Sequence, residues 1–222
     1  MENELKNLGN TKVIRNLCRK YVLYLPVLIM GLFLVLFSSL AMADTSGTYG
    51  SGAYGSCEYG VACSISLTSN GNVSLDVTPS SSGSCTIQSD TVTVFTDDTN
   101  GYTLTLADNG TNTALINGST SINATSGTFT APAALTDKSW GYRVDGLDSF
   151  GSGPTTNQTN VSSSSTLFAG IEASDQLADT IAVTSGAADP AVTTTVWYGA
   201  CADTTVSSGN YSTQVIYTAV AN

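Results

Sequence analysis

The chain has 222 residues, a formal net charge of −10 and no histidine. The missing histidine excludes a Ser-His-Asp triad and every histidine-ligated metal site. Five of the seven Lys and Arg lie in the first 20 residues, so Lys138 and Arg143 alone face fifteen Asp and Glu beyond residue 43, a net charge near −13. Such a surface repels phosphate backbones and anionic headgroups, which are bound through Lys and Arg, and excludes nucleic acid as a partner.

In chain order, residues 1–20 are basic, 21–40 form an unbroken apolar run, and Ala41-Met42-Ala43 follows. A basic segment, an apolar segment and an A-x-A site read as a signal peptide over 1–43, cleaved after Ala43. The apolar run is also long enough to stay as an uncleaved anchor with the remainder outside. In that case this segment is the only contact with a membrane. Either way the remainder is exported, to the cell surface or beyond.

Residues 44–62 form a low-complexity arm with Tyr49, Tyr54 and Tyr59 at five-residue spacing. An odd spacing sends successive side chains to opposite faces of a strand, and glycine at this density disfavours regular structure. The arm is expected to be a flexible spacer. The alternative is an aromatic arm that docks on a neighbouring subunit. Of the five cysteines, Cys18 leaves with the signal, and Cys57, Cys63, Cys85 and Cys201 remain. An even count in an exported chain points to disulfides. Cys57 and Cys63 are close enough to join locally around Gly60, which leaves Cys85–Cys201 as a long-range staple.

From residue 63 the hydrophobic period is two. The segments 64–68, 72–78, 91–96, 101–107, 192–200 and 210–221 alternate apolar residues with Ser or Thr and predict half-buried strands. Asn70-Gly71 and Asn100-Gly101 predict hairpins between the first and second pairs of these segments. S-W-G-Y-R-V at 139–144 is strand-like. The one helix candidate, 171–179, is no more than a turn or two. Residues 145–165 lack any period and predict a long surface loop. Tyr211, just after Gly209, has the placement of the tyrosine corner of immunoglobulin-like sandwiches. The expected fold is all-β, a single Ig-like antiparallel β-sandwich over 63–222.

The run C-T-I-Q-S-D-T-V-T-V-F-T-D-D-T-N-G-Y-T-L-T-L from Cys85, S-W-G-Y-R-V, and the closing S-G-N-Y-S-T-Q-V-I-Y-T-A-V-A-N resemble exported surface proteins of Saccharibacteria-type candidate-phylum bacteria. The resemblance spans about 45–222 and implies a secreted or surface β-sandwich with an adhesive or envelope role. A looser similarity links Cys85, Cys201 and the closing G-x-Y-x-x-x-V strand to the Ig-like domains of spore coat protein U and of chaperone–usher pilins. The Gly-rich arm departs from the alternating apolar strand that such subunits donate.

Catalytic chemistry has few footholds. The paired carboxylates Asp97/Asp98 and Asp145/Asp148 sit where Asp caps turns, and Lys138 is in no S-x-x-K register. Neither cofactor nor metal is called for. The aromatics able to stack on sugar rings are Trp140, Tyr142, Trp197 and Tyr198. Period-two geometry puts Trp140 and Tyr142 on one face and sets Trp197 and Tyr198 on opposite faces. The sequence thus predicts a non-catalytic structural or adhesive surface protein that meets other surface proteins or glycans, with self-association into a pilin-like fibre as an alternative. A glycan-binding or glycan-acting secreted protein is the other.

Overall fold

The computed structural model describes residues 63–162 and 165–222. The expected signal peptide, the arm and Cys57 lie outside these described residues. The strands, in chain order, are β1 (Ile65–Ser69), β2 (Ser84–Thr96), β3 (Tyr102–Asp108), β4 (Leu115–Asn117), β5 (Thr120–Ala124) and β6 (Ala133–Ala134). They continue as β7 (Ser139–Val144), β8 (Gln158–Val161), β9 (Leu167–Phe168), β10 (Asp179–Val183), β11 (Ala188–Ala202) and β12 (Val215–Ala221). The large sheet runs β1-β2-β11-β7-β5-β4, with β8 also pairing β2, and a second sheet runs β10-β3-β12.

Alternation explains the packing. On β3, Tyr102, Leu104 and Leu106 point inward while Thr103, Thr105 and Ala107 point out. They meet Val92, Val94, Tyr142, Val144, Val196 and Tyr198 of the large sheet in one core. The fold is therefore an all-β sandwich. A second, smaller cluster of Ile87, Phe168 and Trp197, with Leu135, lies apart from that core. The β6–β9 pair contributes Phe168 to it.

The staple is where it was expected. Cys85 and Cys201 face each other across the β2–β11 ladder and are bonded, with Cα atoms 4.1 Å apart. Closing so long a loop stabilises by about 4–5 kcal/mol in chain-entropy models. Cys63 is also disulfide-bonded.

Both Asn-Gly sites turn the chain, but neither makes the expected hairpin. Gly71 and Gly101 have positive φ, +96° and +83°. At the second site the reason is the crowding of β2, which has β11 on one flank and β1 and β8 on the other and so leaves β3 no edge beside it. Residues 72–78 form no strand. They keep their alternation, with Val73, Leu75 and Val77 against the core, and side chains supply part of their backbone bonding. Thr78 N donates to Asn160 Oδ1 (2.6 Å) and Thr86 Oγ1 donates to Asp76 O (2.8 Å). At Asn100-Gly101 the turn carries the chain from the large sheet to the small one. A Cβ on Gly101 would stand 2.3 Å from Thr184 O, so only glycine fits.

Other expectations need correction. Residues 171–179 contain no helix, and β10 begins at Asp179. The last strand begins at Val215 rather than at 210. A hairpin that the sequence reading passed over joins β4 to β5 through Gly118, at φ +59°. The large sheet is mixed, because β5 and β7 run parallel, which the long connection through β6 allows. The stretch 145–165 is not simply loop. It holds a 3₁₀ turn (Asp148–Phe150) and β8, and Phe150 is fully buried.

Arg143 accounts for that order. Its buried guanidinium donates to the carbonyls of Phe150 (3.3 Å), Gly151 (3.0 Å) and Ser152 (3.4 Å) and lies 5.9 Å over the Phe150 ring. Charge-assisted bonds and a cation–π contact hold a segment that has no hydrophobic period of its own. Burial lowers the guanidinium's affinity for its proton, partly offset by Asp145.

Candidate binding groove

The four aromatics singled out for stacking are all interior, with exposures of 2, 0, 5 and 6% for Trp140, Tyr142, Trp197 and Tyr198. None of them offers a ring face to a sugar. Their sidedness is as expected: Trp140, Tyr142 and Tyr198 share the main core, while Trp197 lies in the smaller cluster. Period two decides which face a ring takes, but the β6–β9 layer covers the face that alternation alone would leave wet.

Each polar tip is used inside the protein. Trp140 Nε1 donates to Thr113 O (2.9 Å). The Tyr142 hydroxyl donates to Asp179 Oδ2 (2.5 Å), tying β7 to β10 across the sandwich. The Tyr198 and Tyr217 hydroxyls bond at 2.7 Å, tying β11 to β12. Burial pushes the pKa of all three tyrosines in these ties far up, so they stay neutral. Burial also raises Asp179, the Tyr142 hydrogen bond works against that, and Glu172 adds to it.

Trp197 does something different. Its Nε1 donates to Asp145 Oδ2 (2.9 Å), and Arg143 Nη2 stands 3.8 Å from Oδ1. Two buried groups thus fix the orientation of a carboxylate whose side chain is 44% exposed. Asp145 belongs to the wall of a groove of about 440 Å³ formed by residues 145–147, 181–183 and 193–195. Leu147, Ile181 and Val183 supply apolar lining, and Thr193–Thr195 border it. Burial raises the pKa of the Tyr102 hydroxyl, partly offset by Thr194 of the same wall.

Of the other carboxylates named from the sequence, Asp98 caps its turn by accepting from Asn100 N (2.8 Å), whereas Asp97 reaches across to Ser64, accepting from its N (2.7 Å) and Oγ (3.0 Å). Lys138 sits in a turn at φ +62°, its Nζ 3.9 Å from Asp203. Among the described residues, no three His, Cys, Asp or Glu cluster so as to hold a metal ion, and no helix is long and apolar enough to cross a membrane.

Sequence reasoning weighed Asp145 as one of a carboxylate pair, favoured a turn role for it, and did not place it in a binding groove. Its groove is made of three segments far apart in the chain, so no local motif could have marked it. Comparison of the chain with models of known families, with curated proteins and with solved structures finds no match.

Proposed function

We propose that this is a non-catalytic protein of the cell surface or its surroundings, an Ig-like sandwich exported by the general secretory route that works by binding. The observation that carries the reading is the groove beside Asp145, a concavity whose one carboxylate is fixed in place from within. Glycoside hydrolysis uses two carboxyl groups about 5–10 Å apart, and Asp145 is the one acidic group among the groove-lining residues. The Cys85–Cys201 bond fits an oxidising compartment outside the cytoplasm. The Tyr211 hydroxyl donates to Ser207 O (2.9 Å), the local closure that a tyrosine corner makes, and supports the Ig-like assignment.

The partners in this reading are other surface proteins or glycans, and the role is structural or adhesive. Immunogold labelling of intact cells, followed by pull-down with the exported protein, tests it. Surface label and a recovered surface component are the expected result. Label confined to the cell interior, or hydrolysis of a glycan by the purified protein, overturns it.

A further inference from the structure

Resting on that reading, we infer that the Asp145 groove binds an extended peptide segment that adds as a strand and sets a basic group against Asp145. The backbone argument comes first. The pairing of β7 with β11 runs from Ala200 to Val196, and Asp145 N then donates to Thr195 O (3.1 Å). There the chain leaves, with Gly146 at φ +80°. β11 continues beside β2 through Thr194, Thr193 and Val192. In an antiparallel ladder the N–H and C=O of alternate residues point to the same flank. Thr195 bonds toward β7, so the N–H and C=O of Thr193 point to that flank as well, where no strand follows among the described residues.

The opposite wall has the same property. β10 pairs with β3 and, among the described residues, with no other strand. The groove is thus bounded by an unpaired strand edge from each sheet. Edges of this kind invite strand addition. The bulge between Thr180 and Ala182 shortens the regular run of β10, yet Val183 stands 62% exposed there.

Charge selects the occupant. Asp148 and Asp189 flank the groove segments and are exposed. Of the two cations beyond residue 20, Arg143 is buried and Lys138 pairs with Asp203. Among the described residues, no basic side chain lines the groove. A second copy would bring its own acidic excess, so the occupant is a foreign segment that is neutral apart from a Lys, an Arg or an amino terminus. A glycan is disfavoured because, among the described residues, no aromatic ring lines the groove.

Fluorescence anisotropy with the disulfide-intact exported protein tests this. The probe is a labelled Thr/Val-alternating heptapeptide with a central Lys, compared with its Glu counterpart and with a version N-methylated at alternate amides. We expect the Lys peptide to bind about tenfold more tightly than the Glu peptide, as a fixed ion pair allows, and N-methylation to abolish binding. Asp145→Asn keeps an acceptor for Trp197 and should erase the Lys/Glu difference. Thr193→Pro removes an N–H that serves no ladder bond and should weaken both peptides. Equal binding of the Lys and Glu peptides, unchanged binding after N-methylation, or binding of a glycan array alone overturns the inference. Cleavage of the peptide would overturn the binding reading itself, whereas surface label without peptide binding would overturn only the groove's assignment.

Discussion

The two ends of β11 live in different surroundings. From Val196 to Ala202 every residue is buried, β2 and β7 flank much of the stretch, and Cys201 is bonded to Cys85. From Val192 to Thr195 the same strand is exposed or half-buried and borders a groove. The first end holds the sandwich together. The second end can keep an unpaired edge because the first does not depend on it.

The sharpest way to break that contrast is at the clamped end. Replacing both Cys85 and Cys201 by Ala should lower unfolding stability by about 3–5 kcal/mol, read as a fall in denaturant midpoint. Thr193→Val at the open end should change it by less than about 0.5 kcal/mol. Comparable losses at both ends would mean that the open stretch is part of the scaffold.

The next effect belongs to Arg143, beside the groove. Arg143→Met keeps the apolar stem but takes the donor from three carbonyls. A loss of about 1–3 kcal/mol is expected. The sharper readout is chymotrypsin, which should cut the variant quickly at Phe150 and spare the native protein, where that ring is buried. Trypsin should likewise leave Arg143 of the folded protein uncut. Rapid native cleavage at either residue would show that the 145–153 segment is loose, and would remove one wall of the groove.

These regions also show what the sequence could and could not reveal. Alternation located β1, β2, β3, β11 and β12, because half-buried strands must alternate. It overreached at 72–78, where the pattern is real but the residues pack on the core without joining a sheet. The Asn-Gly turns were recognisable because positive φ is a local property, whereas the partner of each strand is not. β10 carries a bulge between Thr180 and Ala182, which breaks period two, and β8 is too short to show one. The order around Phe150 comes from one guanidinium, and such a contact leaves no periodic trace. The groove joins Asp145 to Thr193 through the β7–β11 pairing, which becomes readable only when the register is known.

Tyr142→Phe is the third test. It removes the hydroxyl that ties β7 to β10 and leaves Asp179 without that donor. A loss of about 1–2 kcal/mol is expected. Because β10 forms the groove's far wall, the variant should also bind the Lys peptide more weakly, while the β2–β11 end stays protected from hydrogen exchange. A uniform loss of protection over both sheets would mean that the tie supports the whole sandwich rather than the open side.

The smallest effect concerns the carboxylate in that tie. Burial raises Asp179 above its usual value of 3.8 in the folded state. The folded protein therefore keeps a proton that the unfolded chain releases, so stability from this group is fully present below that usual value. It declines as pH rises from there through the raised folded value. At neutral pH the charged carboxylate is a net burden, modest because solvent screens a half-buried group. Asp179→Asn still offers an oxygen to the Tyr142 hydroxyl but never carries the charge. Thermal unfolding of both proteins between pH 3 and 8 should show the variant gaining on the native chain as pH rises, then levelling off within about 1 kcal/mol. A variant that falls behind as pH rises would show instead that the ionised carboxylate strengthens the Tyr142 bond by more than its burial costs. The contrast would then reverse, with the open side held by a charged tie that depends on neutral pH.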